Sequence, residues 1–159
     1  MKNEFIYDTV IGKIRISEDG TAVTCISFED EENERDSELN ETPLLKRAFE
    51  QIQEYLDGKR KIFDFPIELT GTNFQKIVWR ALQEIPYGET KSYKEIAIAV
   101  GNEKACRAVG MANNKNQIPI VVPCHRVIGT NGKLVGYAGG LNIKENLLNI
   151  EKKYKWGDF

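Results

Sequence analysis

Apolar and polar positions alternate near the start of the chain and recur at helical spacing beyond it. Ile14 and Ile16 alternate with Lys13 and Arg15, the period of a half-buried strand. On that pattern residues 5–9, 12–17 and 22–28 are three short strands, with Glu18-Asp19-Gly20 as turn chemistry between the last two. Residues 29–41 are acidic and polar with little to bury, which predicts a solvated loop or helix approach. Thr42-Pro43 then supplies an N-cap and a first-turn proline. Leu44, Leu45, Ala48, Phe49, Ile52, Tyr55 and Leu56 follow at helical spacing, and Gly58 closes the helix. Residues 59–71 read as a connector with a short strand around 62–65.

Past the connector the pattern is helical. Thr72-Asn73-Phe74-Gln75 is a capping-box signature ahead of Ile77, Val78, Ala81, Leu82 and Ile85, and Pro86-Tyr87-Gly88 breaks that helix. Ser92-Tyr93-Lys94-Glu95 is a second capping box, opening a short helix through Ile96, Ala97 and Val100. Gly101-Asn102 ends it and caps a further helix over residues 103–113. Two short helices joined by a tight glycine turn predict a helix-turn-helix. On its second helix Cys106, Val109 and Ala112 share an inward face, while Lys104, Arg107 and Met111 share an outward one of the kind that meets DNA. Asn131-Gly132 predicts a hairpin between residues 127–128 and 134–135. A last helix runs over residues 141–153, with Glu145 on the stripe of Leu141 and Leu148. The expected fold is α+β: a small N-terminal α/β domain over residues 1–70, made of a three-stranded antiparallel sheet plus a helix, then a mostly helical C-terminal domain with a helix-turn-helix over 71–159.

Composition narrows the function. The 159 residues contain no window near the roughly 20 apolar residues that a membrane span needs. The start, Met1-Lys2-Asn3-Glu4-Phe5, has no apolar signal core, so the expected location is cytoplasmic, with access to chromosomal DNA. Three widely spaced cysteines, Cys25, Cys106 and Cys124, form no disulfide framework and fit a reducing compartment. A single histidine and no Cys-x-x-Cys pair argue against a zinc site. The net charge of −2 hides a division: residues 1–70 carry 9 Lys and Arg against 17 Asp and Glu, whereas residues 71–159 carry 13 against 7. The basic half is the one suited to a polyanion.

The chemistry concentrates in Ile118-Pro119-Ile120-Val121-Val122-Pro123-Cys124-His125-Arg126-Val127. A cysteine attacks as thiolate and needs a cationic or basic neighbour to lose its proton near pH 7. His125 and Arg126 stand next to Cys124 for that purpose. Adjacent side chains of a strand point to opposite faces, so either the chain turns sharply after Pro123 or a water joins the imidazole to the sulfur. A carboxylate on an apolar helix face needs a partner, which makes Glu145 the expected orienter of His125. That gives the nucleophile, base and orienter of a triad. Cys25 and Cys106 read as core residues. Gly136-Tyr137-Ala138-Gly139-Gly140 marks a place where backbone approaches something closely.

These residues resemble the O6-alkylguanine-DNA alkyltransferases, also called methylated-DNA–protein-cysteine methyltransferases, over roughly residues 70–152. The resemblance rests on Pro123-Cys124-His125-Arg126-Val127, with Asn116 eight residues before the cysteine, Arg107-Ala108-Val109-Gly110, Tyr93, Gly136 to Leu141, and a following glutamate matched to Glu145. It implies irreversible alkyl transfer from O6 of guanine, with O4 of thymine as a second substrate, to Cys124, with no cofactor and no metal. The implied partner is double-stranded DNA containing O6-alkylguanine, held through the minor groove by a monomer that needs neither a membrane nor an obligate protein partner. Arg107 would fill the place of the extruded base, with Lys104, Ala108, Met111 and Arg126 on the DNA, while Tyr93 favours flipping and protonates the leaving base. Asn116, Val127, Tyr137, Ala138 and Gly139 would frame that base. Ala138 stands where some members place a serine, and the zinc ligands of some N-terminal domains have no counterpart here. A Cys-His thiol hydrolase and a non-catalytic DNA-binding module are the competing readings.

Overall fold

The structure is a computed structural model that describes residues 2–29, 39–132, 137 and 140–156. It has the expected α+β arrangement, and its contacts divide the chain into two compact units after Leu69.

In the first unit, β1 (Asn3–Thr9), β2 (Gly12–Glu18) and β3 (Val23–Phe28) form an antiparallel sheet in the order β1-β2-β3. Helix α1 (Pro43–Leu56) packs on it. Thr42 caps α1 by accepting the Leu45 N–H at 3.2 Å, and Pro43 occupies the first turn, where its missing N–H costs nothing. Ile14, Ile16, Val23 and Ile26 are buried, as are Leu45, Ala48, Ile52 and Tyr55 of the helix.

The connector's strand falls later than the sequence pattern suggests. It is a single bridge between Ile67 and Val23, with the Val23 N–H donating to the Pro66 carbonyl at 2.9 Å. Arg15, placed by alternation on the polar face, is 2% exposed. The guanidinium lies 2.6 Å from Glu29 and 3.5 Å from Glu4, and these carboxylates compensate its desolvation.

In the second unit, both capping boxes form: Thr72 with Gln75 starts α2 (Asn73–Gln83), and Ser92 with Glu95 starts α3 (Tyr93–Ala99). Trp79 of α2 is buried and its indole N–H donates to the Ala112 carbonyl at 2.8 Å, fixing α2 against α4 (Cys106–Asn114). Helix α4 begins three residues later than the sequence suggests. The Asn102 side chain accepts the Lys104 N–H at 3.2 Å, so residues 102–105 turn before the helix starts. Gly101, at φ +89°, makes the turn that joins α3 to α4.

Ahead of α3, β4 (Lys91–Ser92) pairs in parallel with β5 (Val127–Ile128). This pairing brings the start of α3 beside the residues that follow Cys124. The expected partner of residues 127–128, residues 134–135, lies outside the described residues, as does most of the acidic stretch 29–41. Helix α5 (Leu141–Tyr154) closes the unit. No described helix is long and apolar enough to cross a membrane.

Candidate active site

The apolar run before Cys124 is a knot of turns, not a strand. Asn116 ties it: its Nδ2 donates to the Val122 carbonyl at 2.7 Å while its Oδ1 accepts the Ile118 N–H at 3.0 Å. Within this loop Ile120 takes φ +75°, a strained left-handed conformation for a β-branched residue. Ile118, Ile120 and Val122 are all buried, and their packing holds the strain in place. Pro123 then leads into a 3₁₀ turn, Cys124–Arg126. The chain therefore turns sharply after Pro123, and successive side chains fan out by about 120°.

Cys124 is 4% exposed. Burial pushes its thiol up to about 11, against the pull of the Asn116 side chain, the Lys144 charge and the backbone N–H groups of Cys124 and His125. These groups favour a thiolate at this position, although the resting side chain is a thiol at neutral pH. The cation that acts on it is Lys144, so the expectation that Arg126 supplies the charge is corrected.

His125 is fully buried, and its Nε2 lies 2.5 Å from Oε2 of Glu151. The orienting carboxylate is Glu151, not Glu145. The buried face of α5 carries Lys144, Leu147 and Glu151, whereas Glu145 and Leu141 are exposed. The apolar residues of α5 are scattered around it, so its sequence does not select a face. The Lys144–Leu147–Glu151 spacing is itself a helical stripe, the one signal that points to both missed residues.

Arg126 is also corrected as a DNA contact. It is 7% exposed and turned inward. Its Nε and Nη2 donate to Glu151 at 2.8 and 3.1 Å, and its Nη1 donates to the Ile85 carbonyl at 2.7 Å. Glu151 also accepts the Gly88 N–H at 3.0 Å, binding the turn after α2 to the site. Burial opposes the charge on Glu151, but the His125 hydrogen bond and the Arg126 guanidinium override it and hold the carboxyl at about 2. Burial draws His125 below its usual value, helped by Arg126 and Lys144 and opposed by Glu151, so the imidazole is neutral at pH 7. With Nε2–H given to Glu151, the proton-accepting lone pair lies on Nδ1.

The two groups make stability sensitive to acid in the same direction. Below pH 6.5 the unfolded chain protonates its histidine before the folded one does. Below 4.5 it protonates the residue-151 carboxyl while the folded carboxyl stays ionised to about 2. Stability therefore falls as pH drops through both windows, with Glu151 contributing on the order of 3 kcal/mol that is lost between pH 4.5 and about 2. The urea midpoint is expected to decline from pH 7 to pH 4, and the part between 6.5 and 5 is expected to vanish in His125→Gln. A midpoint flat across this range would contradict the buried neutral imidazole.

Other expected site residues fall on two sides. Tyr93, at the first position of α3, has its phenol raised by burial and by Cys124, and it hydrogen-bonds Asn113. Its ring lies 3.8 Å from where a Cβ on Gly110 would stand, so the small residue admits it against α4. Tyr137 is raised well above 10, by burial first and then by Cys124 and Glu151. Val127 closes the 3₁₀ turn with its N–H on the Cys124 carbonyl. Arg107, Ala108 and Met111 are exposed on α4, while Lys104 is exposed in the turn before it. Ala138 and Gly139 lie outside the described residues. Cys25 and Cys106, expected in the core, are only partly buried.

Comparison with known proteins gives one answer. Residues 73–153 match the family described as "6-O-methylguanine DNA methyltransferase, DNA binding domain", and residues 4–69 match its "ribonuclease-like domain". The constitutive methylated-DNA--protein-cysteine methyltransferase of Bacillus subtilis (strain 168) is 49% identical over 152 residues, which is 91% of this chain and 92% of that one. Its namesake from Methanosarcina acetivorans is 48% identical over 149 residues, covering 92% of this chain and 96% of that protein. The crystal structure of the Mycobacterium tuberculosis O6-methylguanine methyltransferase superposes with a TM-score of 0.90 at 42% identity, over 99% of this chain and 97% of that one. The Mycobacterium tuberculosis OGT in complex with DNA superposes with a TM-score of 0.86 at 42% identity, over 96% and 94%.

Proposed function

Because the chain belongs to the 6-O-methylguanine DNA methyltransferase family, which repairs DNA by moving an alkyl group onto a cysteine of the protein, we propose that Cys124 accepts that group from O6 of guanine in duplex DNA. The observation that carries this reading is the buried Glu151–His125 pair next to a buried cysteine, in the unit whose α3–α4 pair exposes Arg107.

The Cys124 thiol gives its proton to His125 through Nδ1, directly or through a water; Glu151 stabilises the imidazolium that forms, and the ring releases that proton to solvent before the alkyl group moves. Sulfur bonds the alkyl carbon as the carbon–O6 bond breaks, and that electron pair leaves on guanine. Tyr93, whose raised phenol stays protonated at neutral pH, is the donor for the departing base and regains its proton from solvent. The product is a thioether with no hydrolytic return, so each molecule acts once. The sulfur of a residue only 4% exposed cannot reach an atom inside a base pair. The base must leave the stack, and Arg107 is the side chain proposed to fill its place. O6-alkylguanine specificity and a monomeric state belong to the same proposal, as does the framing of the base by Asn116, Val127 and the loop at Tyr137.

Incubation with a short duplex bearing O6-methylguanine is expected to raise the intact mass by about 14 Da, saturating at one equivalent per protein. Repeated turnover would point to a thiol hydrolase, and binding with no mass change to a DNA-binding module. Arg107→Ala is expected to slow repair of the duplex about tenfold or more while leaving reaction with free O6-benzylguanine nearly unchanged. Equal loss on both substrates would remove Arg107 from base extrusion.

A further inference from the structure

Lys144 is fully buried on the face of α5 that carries Leu147 and Glu151. Lysine is rarely buried to that extent, because its ammonium must be desolvated. Here Nζ donates to the Val127 carbonyl at 2.6 Å. Val127 is the residue whose N–H closes the 3₁₀ turn on the Cys124 carbonyl and whose strand pairs with Lys91. The lysine thus grips the backbone three residues past the sulfur, from the opposite side of the turn to Asn116's grip on Val122. A methionine would fill the same space without the cost of a buried charge, so the charge needs a reason. The thiolate of Cys124 is the anion it favours, and each group acts on the other.

We infer that Lys144 is a positioning residue for alkyl transfer: its ammonium holds the Val127 carbonyl and compensates the negative charge that Cys124 acquires on giving up its proton. The inference rests on Cys124 being the acceptor. Lys144 keeps its own proton through the step. After transfer the sulfur is a neutral thioether.

The groups sharing this interior separate well in pH. Burial draws Lys144 down to about 8, against the pull of Cys124. Around it, His125 lies below 6.5, Glu151 at about 2, Tyr87 at about 12, and Tyr93 and Tyr137 above 10. Between pH 7 and 9, then, the Lys144–Cys124 pair is what titrates. Removing one proton from it gives either neutral lysine with thiol or ammonium with thiolate, two isomers of one protonation level. Only the second reacts. The rate therefore rises with pH until the first proton is gone and levels off near 8.

Single-turnover methyl transfer from an O6-methylguanine duplex, at saturating DNA from pH 6.5 to 9.5, tests this in wild type, Lys144→Met and Lys144→Arg. Wild type is expected to level off near pH 8. Lys144→Arg should track it below that pH and keep rising above it, since arginine does not titrate. Lys144→Met should be slower by about tenfold or more at pH 7.5 and still climbing at 9.5. A Lys144→Met curve parallel to wild type, at whatever absolute rate, would reduce the lysine to a structural clamp and overturn the inference. So would a wild-type rate indifferent to pH. If Lys144→Met does not fold, the arginine variant decides alone: a curve levelling off where wild type's does is the overturning result. No transfer at all by wild type would instead sink the proposed function.

Discussion

Replacing Cys124 by alanine is expected to abolish methyl uptake from an O6-methylguanine duplex, a loss of at least about a thousandfold in single-turnover rate. Replacing Cys25 or Cys106 by serine is expected to leave uptake within about twofold. Ease of access alone predicts the reverse, because Cys124 is the most buried of the three. Cys25 sits on β3 opposite Ser17, and the Cys106 thiol lies 3.8 Å from the Glu103 carbonyl in the first turn of α4. Neither has an oriented imidazole next to it. Burial raises the Cys124 thiol, yet its surroundings are prepared for an anion, with Asn116, Lys144 and two backbone N–H groups placed for the charge that develops. Peptide mapping of the methylated protein should place the added group on the peptide holding residue 124. Uptake by Cys124→Ala at the wild-type rate would move the acceptor elsewhere and end this reading of the site.

What the sequence revealed about this site follows the range of the interactions that build it. Both capping boxes were legible because cap and partner stand three residues apart, so Thr72 and Ser92 announce their helices locally. The cysteine and its histidine were legible because they are adjacent. Arg126 was not, since nothing local says that a guanidinium beside a nucleophile turns inward. Its direction is set by Glu151, 25 residues away, and by the Ile85 carbonyl, 41 residues away. Glu151 and Lys144 were missed for a related reason: Leu141, Ile143, Leu147, Leu148 and Ile150 do not define one stripe, and docking against the 3₁₀ turn chooses the buried face. Arg15 shows the same effect in the first unit, where alternation places it in solvent and two glutamates bury it. The run before Cys124 reads as a strand by hydrophobicity alone. Asn116, which bonds both ends of that run, converts it to turns, and a residue with that role is invisible to periodicity.

Glu151→Gln is expected to lower the transfer rate by a factor of about a hundred to a thousand, while Glu145→Gln, on the same helix, stays within about twofold of wild type. The glutamate accepts from His125 Nε2, from Arg126 Nε and Nη2, and from the Gly88 N–H. A glutamine offers one acceptor oxygen and turns an NH₂ group toward donors that have nothing to accept it. Either His125 loses its hydrogen bond or Arg126 does. In the first case the ring is free to present N–H, not a lone pair, to the sulfur. In the second a buried guanidinium is left without its counter-charge, and thermal stability falls as well. The two cases separate by experiment. Loss of rate with an unchanged melting temperature means that orientation of the imidazole is the main contribution, whereas parallel loss of both means that Glu151 chiefly holds the turn after α2 against the 3₁₀ turn. Among the described residues Glu145 has no such partners to disturb, because it lies on the exposed face of α5. If Glu145→Gln proved the slower variant, the helix would have to be rotated by about a third of a turn in the working protein, taking Lys144 off the Val127 carbonyl with it.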